Sequence, residues 1–108
     1  MKLLDNKVAI VTGGARGIGE GIVRLFAAQG AHVAFTYVSE GSAERAASLA
    51  ASLQETGVKV KAYQSNASDA QACEALVAEV MKEFGTIDIC VNNAGISCLL
   101  YTSDAADE

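Results

Sequence analysis

The stretch Thr12-Gly13-Gly14-Ala15-Arg16-Gly17-Ile18-Gly19 stands between a strand-like apolar run at residues 8–11 and a helix-like one at residues 22–28. A glycine-rich turn from strand to helix confines the chain to folds in which a strand ends beside a helix amino terminus, where a nucleotide's phosphates dock. Gly13 lets the chain leave the strand with backbone angles that a side chain would forbid. Gly17 removes the Cβ that would hold a pyrophosphate off the backbone, and Gly19 lets helix and sheet approach closely. The N–H groups of the helix's first turn then face the phosphates, with the positive end of the helix dipole behind them. Gly14, Ala15 and Ile18 belong to the same turn and are candidate contacts for such a ligand. The glycines are spaced G-x-x-x-G-x-G, unlike the common G-x-G-x-x-G fingerprint, and a glycine-rich turn without a ligand is the plainer alternative.

Asn92-Asn93-Ala94-Gly95 follows another apolar run, residues 87–91, about 80 residues downstream. Two parallel strands then end in small or amide residues on one edge of a sheet, and the carboxyl edge of an open α/β sheet is where ligands bind. Taken alone, Asn-Asn-Ala-Gly reads as a loop. The residues between the two motifs alternate regularly. A strand at 7–12 precedes a helix at 17–29 closed by Gly30, and a strand at 32–38 precedes a helix at 41–56 ending near Gly57. A third strand at 58–63 is followed by a helix that Ser68 or Asp69 caps and Gly85 closes, before the fourth strand at 87–91. The alternation β-α-β-α-β-α-β predicts an α/β fold, a partial Rossmann (doubly wound) domain with a parallel sheet in the order 3-2-1-4.

The 108 residues make one domain at most. Half are hydrophobic, yet no apolar run approaches a membrane span, and Lys2 leads into polar Asp5-Asn6-Lys7 rather than a signal-peptide core. The expectation is a cytoplasmic protein with no membrane partner. A formal net charge of −5 argues against nucleic acid. Cys73, Cys90 and Cys98 lack metal-ligand spacing, and Cys90, inside a strand pattern, reads as ordinary core, so neither metal nor disulfide is implied. His32, the single histidine, begins its strand far from the ligand edge and reads as an exposed structural residue.

Together, T-G-x-x-x-G-I-G and N-N-A-G make residues 3–97 resemble the short-chain dehydrogenase/reductase family. In wording, from Lys7-Val8-Ala9-Ile10-Val11 through Phe84-Gly85-Thr86-Ile87-Asp88-Ile89, the chain looks most like 3-oxoacyl-acyl-carrier-protein reductases; acetoacetyl-CoA reductases and sugar dehydrogenases share most of this half. The resemblance implies an oxidoreductase of fatty-acid synthesis, homo-oligomeric as a whole protein, that reduces a 3-oxoacyl thioester on acyl carrier protein. NAD-binding folds place Asp or Glu at the end of the second strand, whereas NADP sites replace it and supply a cation. Here the strand ends Phe35-Thr36-Tyr37-Val38-Ser39, with no carboxylate until Glu40, while Arg16 can reach a ribose 2′-phosphate. A merely solvated Arg16 is the other reading, but a bare cation at a helix start opposes the dipole. The expectation is NADP (NADPH), with Thr36 and Tyr37 among the cofactor-binding residues; Glu40 keeps NAD as the alternative. By the resemblance Asn66 and Ala67 hold the adenine, although an Asx-turn starting the helix also accounts for them. Asn93, Ala94 and Gly95 line the nicotinamide-ribose side.

Reductases of this family resemble one another in a Tyr-x-x-x-Lys pair on a later helix and a Ser on the strand end before it, the tyrosine acting as general acid and the lysine lowering its pKa. Four residues beyond the three tyrosines of this chain stand Gly41, Ala67 and Ala105. Tyr101 and Ser103 follow Asn92-Asn93-Ala94-Gly95 too closely to be that catalytic pair, so no catalytic residue is expected. Residues 98–108, beginning Cys98-Leu99-Leu100-Tyr101-Thr102-Ser103, can be encoded as TGT CTC TTA TAC ACA TCT GAC GCT GCC GAC GAx, which resembles a transposase adapter used in sequencing libraries. The expectation is the N-terminal half of a dinucleotide-binding domain at 1–97, truncated after its fourth strand and inactive by itself, with a non-native tail at 98–108. A non-catalytic nucleotide-binding module, functional as it stands, is the competing expectation.

Overall fold

The computed structural model describes residues 3–15, 17–66 and 69–93. Along them run β1 (Val8–Val11), α1 (Gly17–Ala28), β2 (His32–Tyr37), α2 (Ala43–Gln54), β3 (Val60–Gln64), α3 (Ala70–Phe84) and β4 (Ile89–Val91), with a 3-10 turn at Glu40–Ser42 leading into α2. The strands are parallel and ordered β3-β2-β1-β4, as the alternation predicts.

The register sorts the core. Val11 of β1 lies opposite Phe35 of β2 and Val91 of β4, and one residue earlier Ile10 lies opposite Ala34 and Cys90. Because side chains alternate between the faces of a strand, Val11 and Phe35 join Val23 and Ala27 of α1 and Leu49 and Leu53 of α2 in one core. On the other face Val8, Ile10 and Ala34 meet Leu76 and Val80 of α3. The central strand β1 is buried along its whole length, the pattern of a parallel strand covered on both faces.

The helix ends follow local chemistry. At the end of α1 the Ala31 N–H reaches the Phe26 carbonyl and the Gly30 N–H the Ala27 carbonyl, both at 3.0 Å, with Gly30 at φ 92°. This pair of bonds satisfies the last carbonyls and needs a left-handed residue. α3 begins at Asp69, whose Oδ1 accepts from the Gln71 and Ala72 N–H groups at 3.0 and 3.2 Å. Gly85 closes it in the left-handed region.

Three expectations are corrected. Cys90 is exposed rather than core, because β4 pairs only with β1 among the described residues and α3 sits over β1 and β2. His32 is half-buried rather than exposed: its Nδ1 accepts the Lys59 N–H at 2.9 Å, tying the start of β2 to the loop before β3. β4 begins at Ile89 rather than at residue 87. Asp88 is spent on β1, its Oδ2 accepting the Val8 N–H at 2.9 Å and its own N–H donating to the Val8 carbonyl at 2.8 Å. Among the described residues no helix is long and apolar enough to cross a membrane.

Candidate functional site

At the carboxyl end of β1 the chain enters the glycine-rich turn with Gly13 at φ 70° and Gly17 at φ 63°. A Cβ on Gly17 would meet nothing within 4 Å, so the outer side of the turn is open to a group lying against the backbone. Gly19 is enclosed instead: a Cβ there would stand 2.0 Å from the Gly13 carbonyl oxygen and 2.7 Å from Asn93 Nδ2. The first turn of α1 therefore packs on the backbone of the turn that precedes it. Gly14 is also closed in, since a Cβ would lie 2.7 Å from Phe35 Cβ and 2.8 Å from Val23 Cγ2. Ile18 stays exposed beside the turn.

Both neighbours of β1 in the sheet hold this turn. From β4, the Thr12 N–H donates to the Val91 carbonyl at 3.0 Å, Thr12 Oγ1 to Asn92 Oδ1 at 3.2 Å, and Asn93 Nδ2 to the Gly13 carbonyl at 3.2 Å. From β2, Thr36 Oγ1 accepts the Gly13 N–H at 2.9 Å and the Thr36 carbonyl accepts the Gly14 N–H at 3.0 Å. Thr36 is 3% exposed, so its part is to fix Gly13 from behind the turn. Asn93 spends a donor on the turn as well.

Beside the turn a groove of about 200 Å³ is lined by Gly13 and Ala15, by Tyr37 at the end of β2 and Val38 and Ser39 after it, and by Ser42 at the start of α2, with Thr36 behind. None of these described lining residues carries a carboxylate. Ser39 and Ser42, with hydroxyls 3.2 Å apart, were not among the expected site residues; a signal for them lay in two hydroxyls three residues apart just after the second strand. The first turn of α1 carries Glu20, which lines a separate hollow with Arg24, Arg45 and Ser48. Its carboxyl is held below the usual range, chiefly by the hydrogen bond from Arg24 at 3.0 Å, against partial desolvation and with help from Arg45 at 3.3 Å.

Asn66 follows β3 and is exposed, its carbonyl accepting the Asp69 N–H at 3.0 Å in the turn that starts α3. Arg16, Ala67, Ala94 and Gly95 lie outside the described residues, as do Ser68 and the tail at 98–108. No group of three His, Cys, Asp or Glu among the described residues could hold a metal ion.

A parallel sheet whose first strand ends in an open glycine turn, braced by an amide motif on the neighbouring strand, defines the first half of a doubly wound α/β nucleotide-binding fold. The short chain dehydrogenase family profile matches residues 7–108, and the chain belongs to that family. It is 42% identical over 91 residues to the 3-oxoacyl-[acyl-carrier-protein] reductase FabG of Staphylococcus aureus, which covers 84% of this chain and 36% of that protein. A blue fluorescent protein from a metagenomic library, crystallised with NADPH, superposes with a TM-score of 0.83 at 45% identity, over 86% of this chain and 38% of its own. A short chain dehydrogenase from Burkholderia cenocepacia J2315 in complex with NADP gives a TM-score of 0.81 at 46% identity, over 86% and 37%. The chain thus spans little more than a third of the length of these relatives.

Proposed function

We propose that this chain is the cofactor-binding part of an NADPH-dependent reductase that converts the 3-oxo group of an acyl thioester on acyl carrier protein to a hydroxyl. The observation that carries the cofactor class is the groove beside the glycine turn, free of carboxylates among its described lining and furnished with the Ser39 and Ser42 hydroxyls. A carboxylate there would hold the free ribose hydroxyls of NAD and repel a 2′-phosphate, whereas hydroxyl donors and a nearby arginine suit the phosphate. The relatives crystallised with NADPH and NADP support this reading, and the likeness to FabG supports the thioester.

When bound, the nicotinamide supplies a hydride to the ketone carbon. The residues of this chain bind and orient. The Gly17 backbone and the first N–H groups of α1 take the pyrophosphate, in a turn shaped by Gly13, Gly14, Ala15, Ile18 and Gly19. Arg16 pairs with the 2′-phosphate and Tyr37 flanks the adenosine. Asn66 and Ala67 meet the adenine; Asn93, Ala94 and Gly95 meet the nicotinamide ribose. Thr36 contributes by holding Gly13. In this reading the unit is residues 1–97, residues 98–108 are non-native, and the chain by itself turns over no substrate, because the proton-donating tyrosine, its lysine and the serine lie in the longer parent.

The test uses the chain extended by the C-terminal part of its S. aureus relative. Arg16→Glu sets a carboxylate against the phosphate, and loss of a charge-assisted bond is worth about 1.5–3 kcal/mol. The expected result is a loss of NADPH affinity of roughly 10- to 100-fold, with NADH changed far less. An equal loss for both cofactors refutes the NADP assignment. Reduction of a sugar ketone with no turnover of 3-oxoacyl thioesters refutes the substrate.

A further inference from the structure

The carboxyl end of β3 carries two hydroxyls that the fold leaves unused. Tyr63 and Ser65 stand two residues apart, and Ser65 still pairs with β2, its N–H donating to the Tyr37 carbonyl at 2.9 Å. Their side chains therefore leave the strand on one face, where Tyr63 packs on the cluster that holds Leu76 and Val80 of α3. Tyr63 Oη and Ser65 Oγ are both closed off from solvent, and neither has a hydrogen-bond partner among the described residues. A buried hydroxyl without a partner keeps its full desolvation penalty, and native folds leave few of them. The same two side chains line a hollow of about 320 Å³ whose opposite wall is Ala72, Ala75 and Leu76, with Glu79 on the same face of α3 one turn further along. Glu79 is exposed, and its carboxylate makes no hydrogen bond or ion pair among the described residues. The lysines nearest it are drawn elsewhere, Lys59 and Lys61 lying 2.6 and 2.9 Å from Glu83. Desolvation pushes the Tyr63 phenol up from its ordinary range, so it keeps its proton and can both donate and accept.

We propose that this hollow binds a small primary amine with an apolar body and a hydroxyl at its far end: the ammonium meets Glu79, the body lies on Ala72, Ala75 and Leu76, and the far hydroxyl pairs with Tyr63 and Ser65. One hydroxyl both donates and accepts, so a single group of the ligand answers both unused oxygens. Ser65 presents Oγ by a turn about χ1 and Tyr63 its proton by a turn about the C–O bond, with the backbone in place. An unpaired carboxylate favours a cation and repels an anion. The volume is at the small end for ligand sites and suits one aromatic ring with a short chain. The hollow shares no residue with the groove beside the glycine turn, and the inference stands apart from the NADP reading.

The experiment titrates the intact 108-residue chain with tyramine, with phenethylamine, which lacks the hydroxyl, and with hydroxyphenylpropionate, which exchanges the ammonium for a carboxylate, following amide NMR shifts so that weak binding is measurable. Tyramine is expected to shift Tyr63, Ser65, Ala72 and Ala75 saturably, phenethylamine to bind roughly three- to tenfold more weakly, and hydroxyphenylpropionate not to saturate. Tyr63→Phe removes one unpaired hydroxyl without changing the shape of the wall, so the fold should hold while the preference for tyramine over phenethylamine shrinks about threefold. Glu79→Gln should weaken both amines about tenfold. The dispersed spectrum of each variant reports its fold, and Ser65→Ala decides the matter should Tyr63→Phe lose that dispersion. Shifts from tyramine that do not saturate overturn the proposal and leave water as the partner of the two hydroxyls. Binding of hydroxyphenylpropionate as tight as that of tyramine overturns the role of Glu79, and a tyramine preference that survives both Tyr63→Phe and Ser65→Ala overturns the role of the hydroxyls.

Discussion

Two glycines in α1 make opposite demands on the same substitution. At Gly19 a methyl group would stand 2.0 Å from the Gly13 carbonyl oxygen, a backbone atom that cannot move without opening the turn. At Gly21 a methyl group meets nothing within 4 Å. Gly19→Ala is therefore expected to destabilise by about 1–3 kcal/mol or more, as overpacking does, and Gly21→Ala to stabilise by about 0.5–1 kcal/mol through reduced unfolded-state entropy. Thermal unfolding followed by circular dichroism checks the pair, and shifts of the same sign would contradict the packing described for Gly19. The glycines were legible in the sequence because their spacing follows from the turn's own geometry. Thr36 was legible only as a residue near the ligand. Its bond to Gly13 depends on where β2 falls against β1, and register of that kind is set by packing across the whole sheet. Asn93 likewise read as a ligand contact, and nothing local announces that its amide reaches Gly13.

At the scale of elements, the end of α3 is clamped to the start of β3. Glu83 accepts from Lys59 Nζ at 2.6 Å and Lys61 Nζ at 2.9 Å, while Lys59 also donates to the Glu83 carbonyl at 2.7 Å and lies 5.0 Å from the Phe84 ring centre. The two lysines hold the Glu83 carboxyl at about 2, below its ordinary 4.5. A carboxyl depressed by folding stabilises fully above its unfolded pKa and loses that contribution as the pH falls through the folded one. The clamp is therefore expected to weaken between about pH 4.5 and about pH 2. Glu83→Gln should flatten that segment of a melting-temperature-against-pH curve, and added salt should shrink the difference because both partners are exposed. A curve unchanged by the substitution would show the clamp to be idle. Helix ends at Gly30, Asp69 and Gly85 could be read from residue types alone, since each answers to orphaned groups of its own helix. The clamp could not, because Lys59 and Lys61 meet Glu83 only once β3 is laid beside β2 with α3 across the sheet.

Over the whole molecule the two outer strands differ in character. β3 carries Lys61 and Gln64 on its exposed positions, whereas β4 is Ile89-Cys90-Val91, uncharged and paired among the described residues with β1 alone. An apolar strand with one free edge recruits other chains. The 108-residue chain is expected to self-associate through β4, and Cys90→Lys, at an exposed position, should raise the monomer fraction in sedimentation velocity. Lys61→Gln, a neutralisation on the other edge, should change it little; the reverse ranking would place the contact at β3. β4 also joins the glycine turn through Asn93, 80 positions from Gly13 along the chain. A closure of that span is among the slowest kinds of contact a small domain makes. On a ribosome the turn would emerge early yet lack one of its two braces until β4 had followed, so competence to hold a phosphate would arrive as a late event of synthesis rather than with the motif that encodes it.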